Sequence, residues 1–407
     1  MKMKKVLAIV LVVAIAAALC IAFASCGKNE KHEVKFGLIT LHDKSSTYDK
    51  NFIDALEEVC EELKIPYIVK SGIKENNECY DAAADLVDQG CNVIFADSFG
   101  HEPYIIKAAK EFKDVQFFHA TGTKAHTEKL SNFHNAFASI YEGRYLAGVA
   151  AGMKLKAMQE AGAAPATSPK IGYVGAFTYA EVMSGYTSFY LGVKSIVSDV
   201  TMDVTFTGSW YDETAEKEAA NRLIAGGCVL ISQHADSMGA PSACQSKNVP
   251  NVTYNMSTKA SAPTTYIIGS KINWGVYYKL IIESVQKGES IAYDWVGGID
   301  NGAVQLTELN TAVAAEGTQA KLDEVMAKLK NGTIKVFDIN TFTVKGEKLT
   351  SYKADVDDTV NDEGKSDFIH ETEVIENGVF IESVKRSAPY FDVEIDGITL
   401  LDRNYGD

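Results

Sequence analysis

The chain has 407 residues, 46% of them hydrophobic and 10% aromatic, with 54 acidic against 39 basic side chains and a formal net charge of -15. This acidic balance sets nucleic acid aside as a partner, because neutralising phosphates needs a basic face; it favours solubility and says little about fold. Five cysteines follow Cys26 (Cys60, Cys79, Cys91, Cys228 and Cys244), an odd number without CxxC spacing, which makes neither a disulfide framework nor a zinc site. They read as small buried apolar residues, and no metal or cofactor follows from the sequence.

At the start, Lys2, Lys4 and Lys5 precede an uninterrupted apolar run from Val6 to Ala24 that ends in Ser25 and Cys26. A charged n-region, an h-region and small residues before a cut are the parts of an export signal, placed at 1–25. A transmembrane helix is the alternative, since the run is near the length that spans a bilayer. Ala24, Ser25, Cys26 and Gly27 resemble a lipobox, in which the Cys thiol is acylated and becomes the mature N-terminus; Phe23 stands where Leu is usual. Cys20, followed by apolar residues, is a weaker candidate. Cys26 is thus the expected lipid attachment point and residues 26–33 a tether. Acyl chains contribute about 0.8 kcal/mol per buried methylene, so two or three hold a domain on a membrane durably. About 380 residues remain, enough for two domains of roughly 100 to 200 each.

From Val34 to Leu41 an apolar strand-like run meets a polar turn carrying Asp43, Ser46, Tyr48 and Asp49, after which Phe52, Leu56 and Val59 recur at helical spacing. In an open α/β sheet, loops leaving the carboxyl ends of strands line the ligand crevice. The polar cluster therefore faces a ligand, or Asp43 and Ser46 merely cap the helix. Alternation continues through Pro66 to Val69, a helix from Asn76 to Gln89, CNVIFAD, a helix from Glu102 to Phe112, VQFFHAT and SNFHNAF. Short β-branched and aromatic runs between helices of about a dozen residues predict a parallel sheet with crossover helices.

A long helix from Ile140 to about Met158 leads into EAGAAPATSP, a Gly, Ala and Pro loop. The rhythm then restarts: KIGYVGAF, a helix from Glu181 to Val197, VTMDVTFTGS, a helix from Glu213 to Ala225, CVLISQHAD, a helix from Met238 to Ser246, and VPNVTYN. One half repeats the architecture of the other, and two such lobes with polar loops after their strands imply a cleft between them.

Taken in order, TYDKNFIDAL, YEGRYLAGVAAGMK, KIGYVGAF with EVMSGYTSFYLGVK, GSWYDETAEKEAANRLIAGGCVLIS and GGIDNGAVQLTEL resemble the basic membrane protein family of substrate-binding lipoproteins, over roughly Lys35 to Leu309. Its best understood members are purine nucleoside receptors of ABC transporters. The resemblance implies an α/β, type I periplasmic-binding-protein fold: two doubly wound lobes joined by a multi-strand hinge that close on a ligand. The lobes are expected at 34–137 plus about 271–295 and at 138–270 plus about 296–335. A β-rich extension is expected at 336–407, with a hairpin turn at Lys345 to Lys348 and alternating strands around Asn377-Gly378 and Asp396-Gly397 that extend one lobe's sheet, with no assigned chemistry.

The same resemblance implies the site. A nucleoside needs aromatic faces for its base, and carboxylates or amides for its ribose. Tyr48 falls at the family's Phe beside the base, Asp49 at its Asn and Asp43 at its Asp on the base edge, with capping as the alternative for Asp43. Asp97, at a strand's carboxyl end, is a ribose contact. His119 and Asn135 follow in the next strands, His119 as a contact or a satisfied structural residue. Tyr186 supplies the second aromatic face, while Phe189 reads as core. Trp210 walls the cleft or stabilises the crossover, and Asp212 caps the next helix. Asp236 stands with Ser237 where relatives have a Gly-rich turn, for direct polar contacts or as another cap, and Asn255 where many have an Asp on the ribose hydroxyls. Lys271 matches the family's Lys, on ribose or an acidic neighbour, or else lies on the surface.

No GxSxG, HExxH, Walker loop or paired Cys/His arrangement is present. The expectation is a lipid-anchored protein on the extracytoplasmic face of the cell membrane. It delivers a purine nucleoside or similar small molecule to an ABC permease, and it is not an enzyme. The alternatives are a surface sensor using the same cleft, a receptor for another ring compound such as a vitamin, and a secreted nucleosidase.

Overall fold

The structure is a computed structural model that describes residues 32–356 and 371–406; the export signal and Cys26 lie outside these residues. Strands with near-continuous apolar sequence, such as FGLI in β1 (Phe36–Ile39), are those a sheet buries on both faces. Between them come amphipathic helices: α1 (Thr47–Leu63), β2 (Tyr67–Lys70), α2 (Asn77–Asp88), β3 (Val93–Ala96), α3 (Glu102–Glu111), β4 (Gln116–Ala120), a single turn α4 (Ala125–Glu128) and β5 (Phe133–Ala138). The second series begins with α5 (Ile140–Glu160) and β6 (Lys170–Gly175). It continues through α6 (Ala180–Lys194), β7 (Thr201–Phe206), α7 (Glu213–Ala225), β8 (Ile231–His234), α8 (Gly239–Lys247), β9 (Asn251–Tyr254) and β10 (Tyr266–Ile272).

The chain then returns to the first lobe with α9 (Trp274–Lys287) and β11 (Asp294–Gly297), and to the second with β12 (Val304–Leu306) and α10 (Thr318–Lys330). The first sheet runs β11-β5-β4-β3-β1-β2, and the second β12-β10-β9-β8-β6-β7 with one further strand beyond β7. The shared inner order, with its crevice where the order reverses beside β1 and β6, is the doubly wound plan whose loops at the strand carboxyl ends hold ligands. Three crossings join the lobes, and they bind one another side by side. The Ser139 amide donates to Gly297 at 2.7 Å and the Asn273 amide to Ala303 at 2.7 Å, while the Ile299 amide donates to the Glu142 carboxylate at 3.0 Å.

The first loop is built from its own side chains. Ser46 caps α1, accepting from the Asp49 amide at 3.2 Å, and Phe52, Leu56 and Val59 are buried along one face. Asp212 caps α7 in the same way, accepting from the Ala215 amide at 2.9 Å. Between α5 and α6 the backbones nearly touch, so that a Cβ at Gly148 would stand 2.1 Å from the Phe189 carbonyl and one at Gly192 2.1 Å from that of Tyr145. The glycines of YEGRYLAGVAAGMK are thus a packing feature of the second lobe.

Beyond α10 the chain is mostly irregular, with two short ladders: β13 (Lys353–Ala354) with β14 (Thr372–Glu373), and β15 (Ile375–Glu376) with β16 (Val379–Phe380) around an Asn377-Gly378 turn whose φ angles are both positive. Val344 and Glu347 form an isolated antiparallel bridge at the Lys345 turn. This segment packs on the hinge. Phe337 stacks on Phe391 at 4.3 Å and meets Tyr141 of α5 at 5.1 Å, and Ser387 donates through both amide and hydroxyl to Asp294 of β11. The final strand, β17 (Ile398–Leu400), joins the second sheet parallel to β7. Cys60, Cys79, Cys91, Cys228 and Cys244 are buried and unpaired. No helix among the described residues is long and apolar enough to cross a membrane.

Candidate functional site

Loops from the carboxyl ends of both sheets enclose a cleft of about 380 Å³, counting its open mouth. The first lobe lines it with Leu41, His42, Tyr48, Asp49, Ser98, Phe99 and Thr121; the second with Glu181, Trp210, His234 and Asp236. The lobes meet around it. The Thr47 amide donates to the Asp236 carbonyl at 2.9 Å, the His42 and Tyr211 rings lie 5.4 Å apart, and those of Phe99 and Tyr179 5.6 Å apart.

On the first-lobe side Asp49 is the fixed carboxylate. It accepts from the His42 amide at 2.7 Å and from the Ser46 hydroxyl at 2.6 Å, and its oxygen lies 3.4 Å from the His42 ring. Burial works to raise its pKa, but these hydrogen bonds from His42 and Ser46 outweigh it and hold the group below its ordinary value. Tyr48 lies against Phe52 at 4.8 Å and sends its hydroxyl to the Asp97 carbonyl at 2.8 Å. Thr121 occupies the left-handed region, φ 62, an uncommon conformation for a β-branched residue that concentrates at binding sites.

The second lobe supplies a buried acidic floor. Burial, followed by the charges of Asp49, Glu216 and Glu181, pushes the Asp236 carboxyl well above the carboxylate range. Burial likewise raises Glu181 to about 7, with Arg144 acting against it. His234 stands 3.4 Å from Glu181; burial and then Arg144 hold its pKa well below the usual value, so the ring is neutral. The counter-charge is Arg144, itself buried, with its guanidinium 3.6 Å from the Tyr254 ring centre and one N–H on the Gln233 carbonyl at 3.0 Å. Asn255, at φ 66, turns its amide toward the Asp236 carboxylate at 3.4 Å.

Of the residues expected from sequence, Tyr48, Asp49, Trp210 and Asp236 line this cleft. Asn255 and Asp97 stand behind it. Asp97 is fully buried, one oxygen accepting from the Leu41 amide at 3.3 Å and the other without a protein partner; burial and then Asp49 raise its pKa far above the ordinary value. The remainder are placed elsewhere. Asp43 is exposed and accepts from the Ser45 amide at 2.9 Å, closing a turn that neither caps α1 nor faces the cleft. His119 donates its Nε2–H to the Ser98 carbonyl, 2.7 Å away, and Asn135 gives its amide to the buried Glu102 carboxylate at 3.0 Å. The Glu102 carboxylate also takes the amides of Thr123 and Lys124, so this network fixes the loop after β4. Tyr186 packs edge-on to Tyr173 at 5.9 Å inside the second lobe. Lys271 sits on β10 opposite Gln305, pointing outward between buried Ser270 and Ile272.

His42, Ser98, Thr121 and His234 escaped the sequence reading although each ends a strand or follows one within three residues, where the topology places ligand contacts. Glu181 carries no such local signal.

The family model described as "ABC transporter substrate-binding protein PnrA-like" matches residues 38–340. The chain belongs to this family. Members of the Bmp family are substrate-binding proteins of ABC transporters, extracytoplasmic and not enzymes, and act with a small-molecule ligand and a permease. A purine-binding protein of Brucella abortus (strain 2308) is 28% identical over 340 residues, covering 79% of this chain and 89% of its own. A putative ABC transporter glucose-binding protein of Haloferax volcanii is 32% identical over 225 residues, covering 55% and 54%. Two solved ABC transporter solute-binding proteins share the fold. That of Conexibacter woesei has a TM-score of 0.61 at 20% identity and covers 74% of this chain and 98% of its own. That of Aeropyrum pernix K1 has a TM-score of 0.64 at 15% identity and covers 77% and 94%.

Proposed function

We propose that this Bmp-family protein captures a purine nucleoside in the cleft between its lobes and delivers it to an ABC importer, held at the membrane by acylated Cys26. The observation that carries the reading is the composition of the cleft. Aromatic rings (Tyr48, Phe99, Trp210) and acidic groups (Asp49, Glu181, Asp236) come from opposite lobes. Rings suit a flat base, for which stacking contributes about 1 to 3 kcal/mol. Carboxylates accept from ribose hydroxyls and base N–H groups. No Lys or Arg is among the cleft-lining residues, so a phosphate would find no Lys or Arg counter-charge there, which favours the free nucleoside over a nucleotide. Contacts from both lobes give the differential affinity that closure requires. The likeness to the Brucella purine-binding protein supports a purine; that to the Haloferax putative glucose-binding protein makes a sugar the competing ligand.

Isothermal calorimetry with adenosine, guanosine, inosine, free purine bases and glucose decides between them. Saturable binding of a nucleoside, with none for glucose, is expected; glucose binding without purine binding overturns the reading. The anchor is tested separately, by detergent partitioning of the chain expressed with Cys26 or with Cys26→Ala.

A further inference from the structure

The family model ends at residue 340, yet the chain continues and its last strand lies in the second lobe's sheet. Because β17 runs parallel to β7, it leaves the sheet at the same end as every ligand-facing loop of that lobe. The residues after it therefore arrive at the cleft mouth, and they stay zipped to it. The Leu401 amide donates to Val204 at 2.8 Å. Asp402 accepts from the Phe206 amide at 2.8 Å and the Thr205 hydroxyl at 2.6 Å.

One step further, Asn404 binds Thr178 twice. Its carbonyl accepts from the Thr178 amide at 2.6 Å and its amide donates to the Thr178 hydroxyl at 2.9 Å. A Cβ at Gly208, φ +74, would collide with the Asn404 amide group at 2.4 Å, so the opposing loop is shaped to admit the tail. The Tyr179 hydroxyl then donates to the Tyr405 carbonyl at 2.9 Å. Tyr179 is the ring that meets Phe99 of the other lobe. Phe99 in turn is carried on a loop pinned by Glu75, which accepts from the Ser98 hydroxyl at 2.6 Å and the Gly100 amide at 2.7 Å.

We propose that the C-terminal tail is a positioning element for the cleft latch: Asn404 and Tyr405 hold Tyr179 where it closes against Phe99, and so bias the lobes toward the closed state. The inference rests on the cleft being the ligand site, not on which ligand fills it. Without the tail, Tyr179 loses its hydroxyl acceptor and its loop loses both bonds at Thr178.

The test needs no ligand. Spin labels at Lys74→Cys and Lys217→Cys, exposed positions on opposite lobes, report the interlobe distance; the five described native cysteines are buried. Deleting residues 404–407 from the full chain should shift the ligand-free distribution toward longer distances and lower the closed-to-open ratio by about two- to tenfold, the range an aromatic pair supplies. Phe99→Ala should do the same, and adding it to the deletion should do no more, because both remove one latch. Thr178→Val, which deletes only the hydroxyl acceptor, should give a smaller shift of the same sign and covers a deletion that fails to fold. A distribution unchanged by the deletion and by Thr178→Val, a full chain already wholly open, or full additivity with Phe99→Ala overturns the proposal. Failure of purine binding leaves it standing.

Discussion

The Tyr48 hydroxyl donates to the main-chain carbonyl of Asp97 at 2.8 Å, tying the start of α1 to the end of β3 across the floor of the cleft. That bond fixes the plane of the Tyr48 ring and leaves its face, rather than its polar tip, for a guest. Tyr48→Phe keeps the ring and deletes the bond; it should cost about 1 kcal/mol of stability and weaken nucleoside binding a few-fold. Tyr48→Ala removes the stacking surface, and affinity should fall by about tenfold to a hundredfold. Calorimetry on both variants checks this, and equal losses would show that the hydroxyl rather than the ring matters.

Stability should fall as pH rises from about 4.5 to about 7. Burial raises Glu382 to about 7 even though Ser184 and Ser383 donate to it, and raises Glu216 to about 7 despite the Ser237 bonds. Each has an unfolded value near 4.5, so between these values the folded chain holds protons that the unfolded chain has released. The stabilisation is therefore fully present below about 4.5 and lost progressively up to about 7, by at most about 3 kcal/mol per group. Urea midpoints at pH 5, 6, 7 and 8 should decline and then level. Glu382→Gln should flatten part of the decline; an unaltered profile would mean that Glu382 is ionised in the folded chain throughout.

The alternation of strands and helices was legible because strands buried on both faces are unbroken apolar runs and their crossover helices carry apolar residues on one side. The cleft was legible where a polar residue follows a strand, as at Asp236, or stands in the first turn of the next helix, as at Asp49. It was not legible on α6, where Tyr186, Phe189 and Tyr190 are all buried: a helix apolar on every side gives no sign of which ring faces a ligand. Asn135 and His119 look like site residues in sequence. What claims Asn135 is a carboxylate on another element, Glu102, and what claims His119 is a distant carbonyl, Ser98, and neither partnership leaves a trace in local pattern. The alternating tail pointed to strands added to one lobe's sheet, but its partner β7 was not legible, since Ile398–Leu400 and β7 lie at opposite ends of the second lobe's sequence.

The contact between α5 and α6 should tolerate no side chain. A Cβ at Gly148 meets the Phe189 carbonyl, which is backbone and cannot swing aside. Gly148→Ala must push the two helices apart and should destabilise the protein by about 3 kcal/mol or more, lowering the denaturation midpoint or the soluble yield. Gly162→Ala, where a new Cβ meets nothing within 4 Å but φ is +70, should cost only about 1 kcal/mol, from backbone strain alone. Similar losses in the two variants would deny the helix contact its role.

Asp236 should trade stability for binding. Burial first, and then Asp49, Glu216 and Glu181, oppose ionisation of its carboxyl while Arg144 works the other way, so in the ligand-free chain the group is held protonated. Asp236→Asn keeps the shape and an oxygen for the Asn255 amide, and the contact between its carbonyl and the Thr47 amide is main-chain and survives. With no carboxyl left at this position to hold protonated at neutral pH, the melting temperature of the ligand-free variant should rise by about 2 to 4 °C. The same change removes from the cleft a carboxyl that a ligand N–H or hydroxyl could ionise on binding, and nucleoside affinity should fall by about tenfold or more. Differential scanning calorimetry and isothermal calorimetry on one preparation give both numbers. A variant that is less stable and binds as tightly as the parent would make Asp236 a structural carboxylate and take it out of the site.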